Sequence, residues 1–210
     1  FNFTQTVYEL HQGLPYIRES PNIKHMSKTA PRCIFGWKAP NFVLPSTNDE
    51  KVVLYDYVSK PHCRGFLIMF ICNHCPYVNA IIDKIVNDCA ELEQHGILSL
   101  AICSNDSEQY PDDSFENMKL YSKENKFTFP YLHDADQKIA SLYQAVCTPD
   151  FFGFNQKNLL QYRGRLDGSG KNPTQNETDR ELFDAMQNIG KFGKGPEKQN
   201  VSIGCSIKWK

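Results

Sequence analysis

Very little in the bulk composition points to a charged or lipid partner. Basic and acidic residues number 23 and 24, for a formal net charge of −1. That balance creates no broad field to draw in nucleic acid or a membrane surface, so neither is expected as a partner. No window approaches the roughly 18 consecutive apolar residues of a membrane-spanning helix. The first 30 residues lack the apolar middle of a secretory signal, which makes a cytoplasmic location the expectation. No internal repeat is visible. No second C-x-x-C and no H-x-x-x-H accompanies the one C-x-x-C, so a four-ligand zinc site lacks its usual second half, although Cys147, Cys205 and His133 could in principle supply ligands. Asn2, Asn176 and Asn200 each begin an Asn-x-Ser/Thr triplet, which matters only in a secreted glycoprotein; the matches read as chance.

Cysteine, by contrast, is plentiful. The chain has 210 residues and eight cysteines, at positions 33, 63, 72, 75, 89, 103, 147 and 205. Disulfide scaffolds are usually short, secreted and poor in regular structure. Several of these cysteines instead fall in apolar segments, where a free thiol is an ordinary small core residue. A reducing compartment with most thiols free is the reading.

Residues 1–38 look irregular, interrupted by Pro15, Pro21 and Pro31, and read as a wrapping arm; a single domain is expected over 39–210. Asn41–Pro45 and Lys51–Tyr55 read as short strands around a polar turn. Phe66–Ile71 is a continuous apolar run of strand length, as in a strand buried on both faces. A helix follows, with Val78, Ile81, Ile82, Ile85, Val86, Cys89 and Leu92 on one stripe, stopped at Gly96. Ile97–Ile102 is a second buried strand. Ser114–Lys126 and Asp134–Val146 read as helices. Asp150–Phe154 and Leu159–Arg163 read as a hairpin around Asn155–Asn158. Leu166–Thr178 should be a loop and Thr178–Ile189 the last helix. The order predicts an α/β fold, a mixed central sheet with helices on both faces.

The chemistry concentrates where the first buried strand meets its helix. Cys72, Asn73, His74 and Cys75 occupy that junction, and Pro76 suits the first helical turn. Unpaired N–H groups there favour a thiolate, the nucleophile of disulfide exchange. Two intervening residues let the second sulfur reach the first. Cys72 is expected to be the more exposed and to attack, with Cys75 resolving. A charged His74 would favour a nearby thiolate and make the couple more oxidising than one without histidine. Asn73 and Pro76 are expected beside the substrate. Thr148-Pro149, just before a strand, is a candidate cis turn placing backbone polar groups near the dithiol.

Other candidates are less pointed. Cys205 lies in a glycine-flanked tail and is either a third redox thiol or a free thiol in a tail anchored by Ile207 and Trp209. Cys147, next to Thr148-Pro149, is a candidate redox partner, with a packed thiol the plainer reading. Arg163 and Arg165 read as a solvated surface pair, and His62, His95 and His133 as surface or capping residues. Cys89 and Cys103 read as core. The acidic run Asp112, Asp113 and Glu116 reads as a helix start.

Strand, C-x-x-C, helix, strand, helix and Thr-Pro before a hairpin together resemble the thioredoxin fold, with the strand pair at 41–55 similar to a peroxiredoxin-like extension. More closely, the segments FICNHCPYV (70–78), SNDSEQYPDDS (104–114), FPYLHD (129–134), AVCTPDFF (145–152), YRGRLD (162–167) and GCSIKWK (204–210) resemble bacterial thioredoxin-family proteins of the peroxiredoxin-like, AhpC/TSA-type group. The resemblance implies a cis bond at Pro149 and places Cys72 at thioredoxin's first cysteine. It departs from true peroxiredoxins, whose peroxidatic cysteine aligns with Cys75, because Cys72 and Ile68 stand where those proteins have threonine or serine and proline. It departs from thioredoxin in lacking a Trp before the first cysteine and in having Phe66 at the place of the buried acid. Proton transfer to Cys75 then falls to His74, water or another group.

The function expected is thiol–disulfide exchange with a protein or small-molecule disulfide, sustained by a thiol reductant and needing no cofactor or metal. The alternatives are a thiol peroxidase, with Cys72 oxidised and Cys75 or Cys205 resolving, and a non-enzymatic metal-binding or redox-sensing module.

Overall fold

A computed structural model of the chain describes residues 27–170 and 179–210. Most of the expected arm (1–26), the segment 171–178, Asn2, Asn176 and the expected helix start at Thr178 lie outside the described residues. The elements run β1 (Ser27–Thr29), β2 (Val43–Pro45), β3 (Lys51–Val53), α1 (Leu54–Val58), β4 (Gly65–Phe70), α2 (Pro76–Asn79), α3 (Ile82–Gln94) and β5 (Ile97–Cys103). After a turn of 3-10 helix at Pro111–Asp113 come α4 (Phe115–Glu124), β6 (Tyr131–His133), α5 (Lys138–Leu142), β7 (Cys147–Thr148), β8 (Asp150–Asn155), β9 (Leu160–Gly164), α6 (Glu181–Phe192) and β10 (Ile203–Ser206).

Five strands form the central sheet in the order β6-β5-β4-β8-β9. β4, β5 and β6 are parallel, whereas β8 and β9 are antiparallel additions, so the sheet is mixed as expected. Every residue of β4 is buried. Alternate side chains leave a strand on opposite faces. Phe66, Ile68 and Phe70 therefore enter a core with Phe42, Leu54, Tyr143 and Phe152. Leu67, Met69 and Ile71 enter the other core, with Ile85 and Leu92 of α3 and Met186 and Ile189 of α6. A buried side chain of this size contributes about 2 kcal/mol, so β4 is pinned from both sides. Its C-terminal end, where the dithiol begins, is correspondingly rigid. This is the thioredoxin fold.

Several expected elements differ. The stretch read as one helix is two, because the chain breaks at Ile81 (φ −125°, ψ 7°), which keeps Val78, Ile81 and Ile82 in one core. The expected strand 51–55 stops at Val53, and Leu54 opens α1. The helix expected over 134–146 shrinks to α5, because the Asp134 carboxylate accepts the Ile139 and Ala140 amides and Gln137 is left-handed (φ 60°). Tyr131–His133, ahead of it, is an unanticipated strand paired with β5. Gly96 does end α3; at φ +78° a Cβ there would lie 2.5 Å from the His62 carbonyl.

The largest addition is a second, antiparallel sheet in the order β1-β10-β7. Ser27 pairs with Cys205, and Cys205 pairs with Thr148. Ser27–Thr29 is thus a strand, not irregular arm, and the C-terminal tail is laid directly on Thr148-Pro149. Among the described residues no helix is long and apolar enough to cross a membrane.

Candidate active site

The chain leaves β4 through Ile71, whose N–H still bonds Ile102 of the neighbouring strand at 3.0 Å. It then turns through Cys72, Asn73 and His74, and α2 starts at Pro76 with Cys75 as N-cap. β7 brings Thr148-Pro149 against this turn, with the peptide bond between them cis. The Thr148 hydroxyl lies 3.4 Å from Cys72 Sγ, and the Thr148 carbonyl accepts from the Cys75 thiol at 3.1 Å. Sequence spacing, helix start and the cis turn therefore meet at one point.

Exposure does not follow expectation. Cys72 is 1% exposed and Cys75 is fully buried, so neither sulfur stands out at the surface. The tail packs on the same turn. β10 lies along β7, Ile207 N–H donates to Val146 at 3.1 Å, and Lys208 N–H donates to Asn105 Oδ1 at 2.9 Å. Tyr110 stacks on His74 with centroids 5.6 Å apart, and Lys208 sits over the outer face of Tyr110.

The two sulfurs are electrically unequal. Burial pushes the Cys72 thiol well up, and the bond to Cys75 and the Asp113 charge add to this. Cys75 is held well below the ordinary thiol value because the thiols of Cys205 and Cys72 hydrogen-bond its anion, outweighing its burial, and the Thr148 hydroxyl and Val78 amide help. These influences favour the thiolate at Cys75 over Cys72, the reverse of the order expected from the sequence.

His74 is the titratable group beside the dithiol. Its Nδ1 lies 2.6 Å from Asp113 Oδ2. Burial alone would lower its pKa, but the hydrogen bond and charge of Asp113 outweigh burial and hold it above the ordinary value. Asp113 is fully buried and also accepts the Asn73 N–H at 2.8 Å and Asn105 Nδ2 at 2.7 Å. Ligand atoms of Cys72, His74 and Asp113 all lie within 4.8 Å of one another. A thiol, an imidazole and a carboxylate so placed could serve as nucleophile, base and the group that orients the base. The same three could offer a metal a thiolate, an imidazole and a carboxylate, but an ion there would compete with the His74–Asp113 bond.

Asp113 was not anticipated as a site residue; its place in a polar turn suggested only a helix start. It is a buried acid contributed by the 3-10 turn. Asn73, expected near substrate, is hydrogen-bonded within the fold. Its side chain donates to the Asp112 carbonyl at 2.7 Å and accepts from the Tyr131 hydroxyl at 3.0 Å. Pro76 is exposed at the start of α2. Cys147 points its sulfur at the Pro149 carbonyl, 3.7 Å away. Arg163 is not a surface residue: it is buried on Asp150 at 2.9 Å and lies over the Phe152 ring. Arg165 pairs with Glu181. Cys89 and Cys103 are core thiols, as read. His62 and His95 are exposed, and His133 stacks on Phe115.

Several of the segments quoted above meet at this site. Ser104 and Gln137 brace the Asp134 turn and the tail: Ser104 Oγ donates to Asp134, and Gln137 Nε2 donates to the Lys208 carbonyl. Asn105 links Asp113 to Lys208.

Comparison with known proteins agrees with this geometry. A family model described as the AhpC/TSA family matches residues 35–164. No curated protein matches the chain. Among solved structures, an uncharacterized conserved protein of Geobacillus kaustophilus is 40% identical, with a TM-score of 0.82 over 88% of this chain and 97% of that one. A hypothetical protein of Sinorhizobium meliloti 1021 is 31% identical, with a TM-score of 0.79 over 87% and 98%. The thioredoxin domain of a thiol-disulfide oxidoreductase from Bacteroides vulgatus shares 13% identity and a TM-score of 0.56 over 74% and 96%, a likeness of fold alone.

Proposed function

The chain belongs to the AhpC/TSA family, and from that premise we propose that it is a thioredoxin-like thiol–disulfide oxidoreductase whose working dithiol is Cys72 and Cys75. The observation that carries this reading is that both cysteines meet the Thr148-Pro149 turn, Cys72 Sγ 3.4 Å from the Thr148 hydroxyl and Cys75 Sγ 3.1 Å from the Thr148 carbonyl, beside an imidazole 2.6 Å from a buried carboxylate.

In the dithiol monoanion, moving the proton from Cys72 to Cys75 makes Cys72 the thiolate, next to the His74 imidazolium. Cys72 then attacks a sulfur of the substrate disulfide, forming a mixed disulfide. His74 protonates the departing thiolate. The imidazole, now neutral, takes the Cys75 proton, and Cys75 attacks Cys72 Sγ. The Cys72–Cys75 disulfide forms and the second substrate thiol leaves with the proton from His74. One disulfide is reduced as one is made. The substrate is a protein or small-molecule disulfide, and a thiol reductant restores the dithiol. Eight free cysteines support a reducing compartment such as the cytoplasm.

Stabilising one thiolate stabilises the reduced pair, so the couple is more oxidising than thioredoxin's value of about −270 mV. Equilibration with glutathione buffers, read by alkylation and mass, tests this together with turnover of insulin disulfides. A midpoint above thioredoxin's and turnover lost in Cys72→Ser support the reading. A midpoint at or below it, or turnover that survives in Cys72→Ser, refutes it.

The site of charge favours a second reading, thiol peroxidase. Cys75 occupies the peroxidatic position of the peroxiredoxin resemblance and has two thiols in contact. Hydroperoxide would oxidise it to a sulfenic acid, which Cys72 or Cys205 would condense with, releasing water. Rapid hydroperoxide turnover with a thiol donor, abolished in Cys75→Ser, would favour this chemistry over exchange.

A further inference from the structure

Core thiols in this protein have a recognisable setting. Cys89 faces Met69 Sδ at 3.9 Å, and burial raises its pKa, as it does for Cys103. Neither is paired with the dithiol. Cys205 differs in three respects. First, its strand β10 pairs antiparallel with β7 in a register that sets Cys205 opposite Thr148. Residues directly opposite in such a pair project side chains to the same face. Cys205 therefore shares the face of the Thr148 hydroxyl, which is itself 3.4 Å from Cys72 Sγ. Second, the approach is built in. A Cβ on the preceding residue, Gly204, would lie 2.0 Å from the Thr148 carbonyl oxygen. Only glycine lets β10 press this closely on the turn before Pro149. Third, hydrogen bonding from the Cys205 thiol is the largest influence holding the Cys75 thiol below its ordinary value.

We propose that Cys205 is a third redox-active thiol and that Cys75 exchanges disulfide partners between Cys72 and Cys205. The inference rests on the dithiol reading above and extends it. Starting from the Cys72–Cys75 disulfide, the Cys205 thiol gives up its proton and its sulfur attacks Cys75 Sγ. The Cys75–Cys205 bond forms as the Cys72–Cys75 bond breaks, and Cys72 leaves with the bonding electron pair and takes up the proton. One disulfide is present before and after, so no external oxidant or reductant enters. The exchange returns Cys72 to the thiol form beside His74 while the oxidising equivalents pass to the tail. It also ties β10 covalently to the N-cap of α2.

The test uses the full-length folded protein and the Cys72→Ser, Cys75→Ser and Cys205→Ser variants, with Cys205→Ala as a second replacement should the serine destabilise the sheet. Each is equilibrated with reduced and oxidised glutathione, blocked by rapid alkylation, digested without reduction and mapped by mass. Expected are both Cys72–Cys75 and Cys75–Cys205 linkages in the unaltered protein. Cys72→Ser should lose two free thiols to a Cys75–Cys205 disulfide. Cys205→Ser or Cys205→Ala should retain only Cys72–Cys75, and Cys75→Ser should contain neither. A Cys72→Ser protein with Cys75 as a glutathione adduct and Cys205 as a free thiol overturns the inference, while a Cys72–Cys75 linkage in the unaltered protein leaves the dithiol reading standing. Absence of any Cys75 disulfide in the unaltered protein overturns both.

Discussion

Asp113→Asn removes one negative charge from the centre of the site with almost no change in shape. The carboxylate now serves three donors: the Asn73 amide on one oxygen, Asn105 and His74 on the other. An amide has one accepting oxygen, so its NH2 must face at least one of those donors where Asp113 has no exposure to water. Losing charge-assisted bonds and orphaning a buried donor costs about 3 kcal/mol. For a chain of this size that is a fall in Tm of about 6–12 °C. The effect on His74 is more specific. Its burial remains and lowers its pKa, while the Asp113 bond and charge that outweigh burial are gone, so it should titrate below 6.5 instead of above. Because His74's pKa is raised in the folded protein, its contribution to stability is fully present below pH 6.5 and fades as the pH rises through the folded value. The stability gap between the two proteins should therefore narrow from pH 6 to pH 9. Disulfide exchange at pH 7 should slow by about 100-fold, the low end of acid–base contributions. The Cys72 thiol also falls, since the Asp113 charge that raises it is removed, but burial, the larger influence, remains and keeps it high. NMR titration of the His74 ring, thermal melts and single-turnover exchange read these quantities. An unshifted His74 titration in the variant would refute the assignment of Asp113 as the residue that keeps His74 charged.

Two further substitutions probe the frame around the site. Gly204→Ala places a methyl 2.0 Å from the Thr148 carbonyl, a backbone atom that cannot rotate away. It should cost about 1–3 kcal/mol and loosen β10, so that Cys72 is alkylated faster by iodoacetamide; unchanged alkylation would show that the tail does not shield the sulfur. Arg163→Met strands the fully buried Asp150, whose carboxyl burial has already raised to about 6 against the pull of Arg163. The loss should be about 3–5 kcal/mol. A carboxyl raised in the folded state favours folding below its unfolded value of 3.8 and loses that advantage as the pH rises through about 6. Urea midpoints should accordingly fall more steeply between pH 5 and pH 8 in the variant than in the unaltered protein, and parallel pH profiles would contradict this.

What could be read in the sequence was what local pattern encodes. Phe66–Ile71 announced a doubly buried strand because six successive apolar residues fit nothing solvated, and the three-and-four spacing through Leu92 announced a helix face. Cys72, Cys75 and Thr148-Pro149 stood out because sulfur at a strand–helix junction and proline before a strand are rare. The misses share a physical cause. β6 has only three residues, too few for a period. β10 is a strand only because β7 and β1 pair with it, and no local signal reports partners so distant in sequence. The burial of Cys72 is likewise not a local property, so its expected exposure failed. Asp113 sat in a polar turn indistinguishable from a helix start until the fold brought it to His74. The tail motif around Cys205 was noticed, yet its meeting with Cys75 required the register with Thr148.

The account stands or falls on Cys72 forming a covalent bond with a substrate sulfur that Cys75 then breaks. Incubating Cys75→Ser with oxidised glutathione and mapping the product measures this directly. A persistent glutathione adduct on Cys72, one per chain, which the unaltered protein forms and rapidly resolves, is the predicted result. A Cys72 that remains a free thiol under those conditions would contradict it.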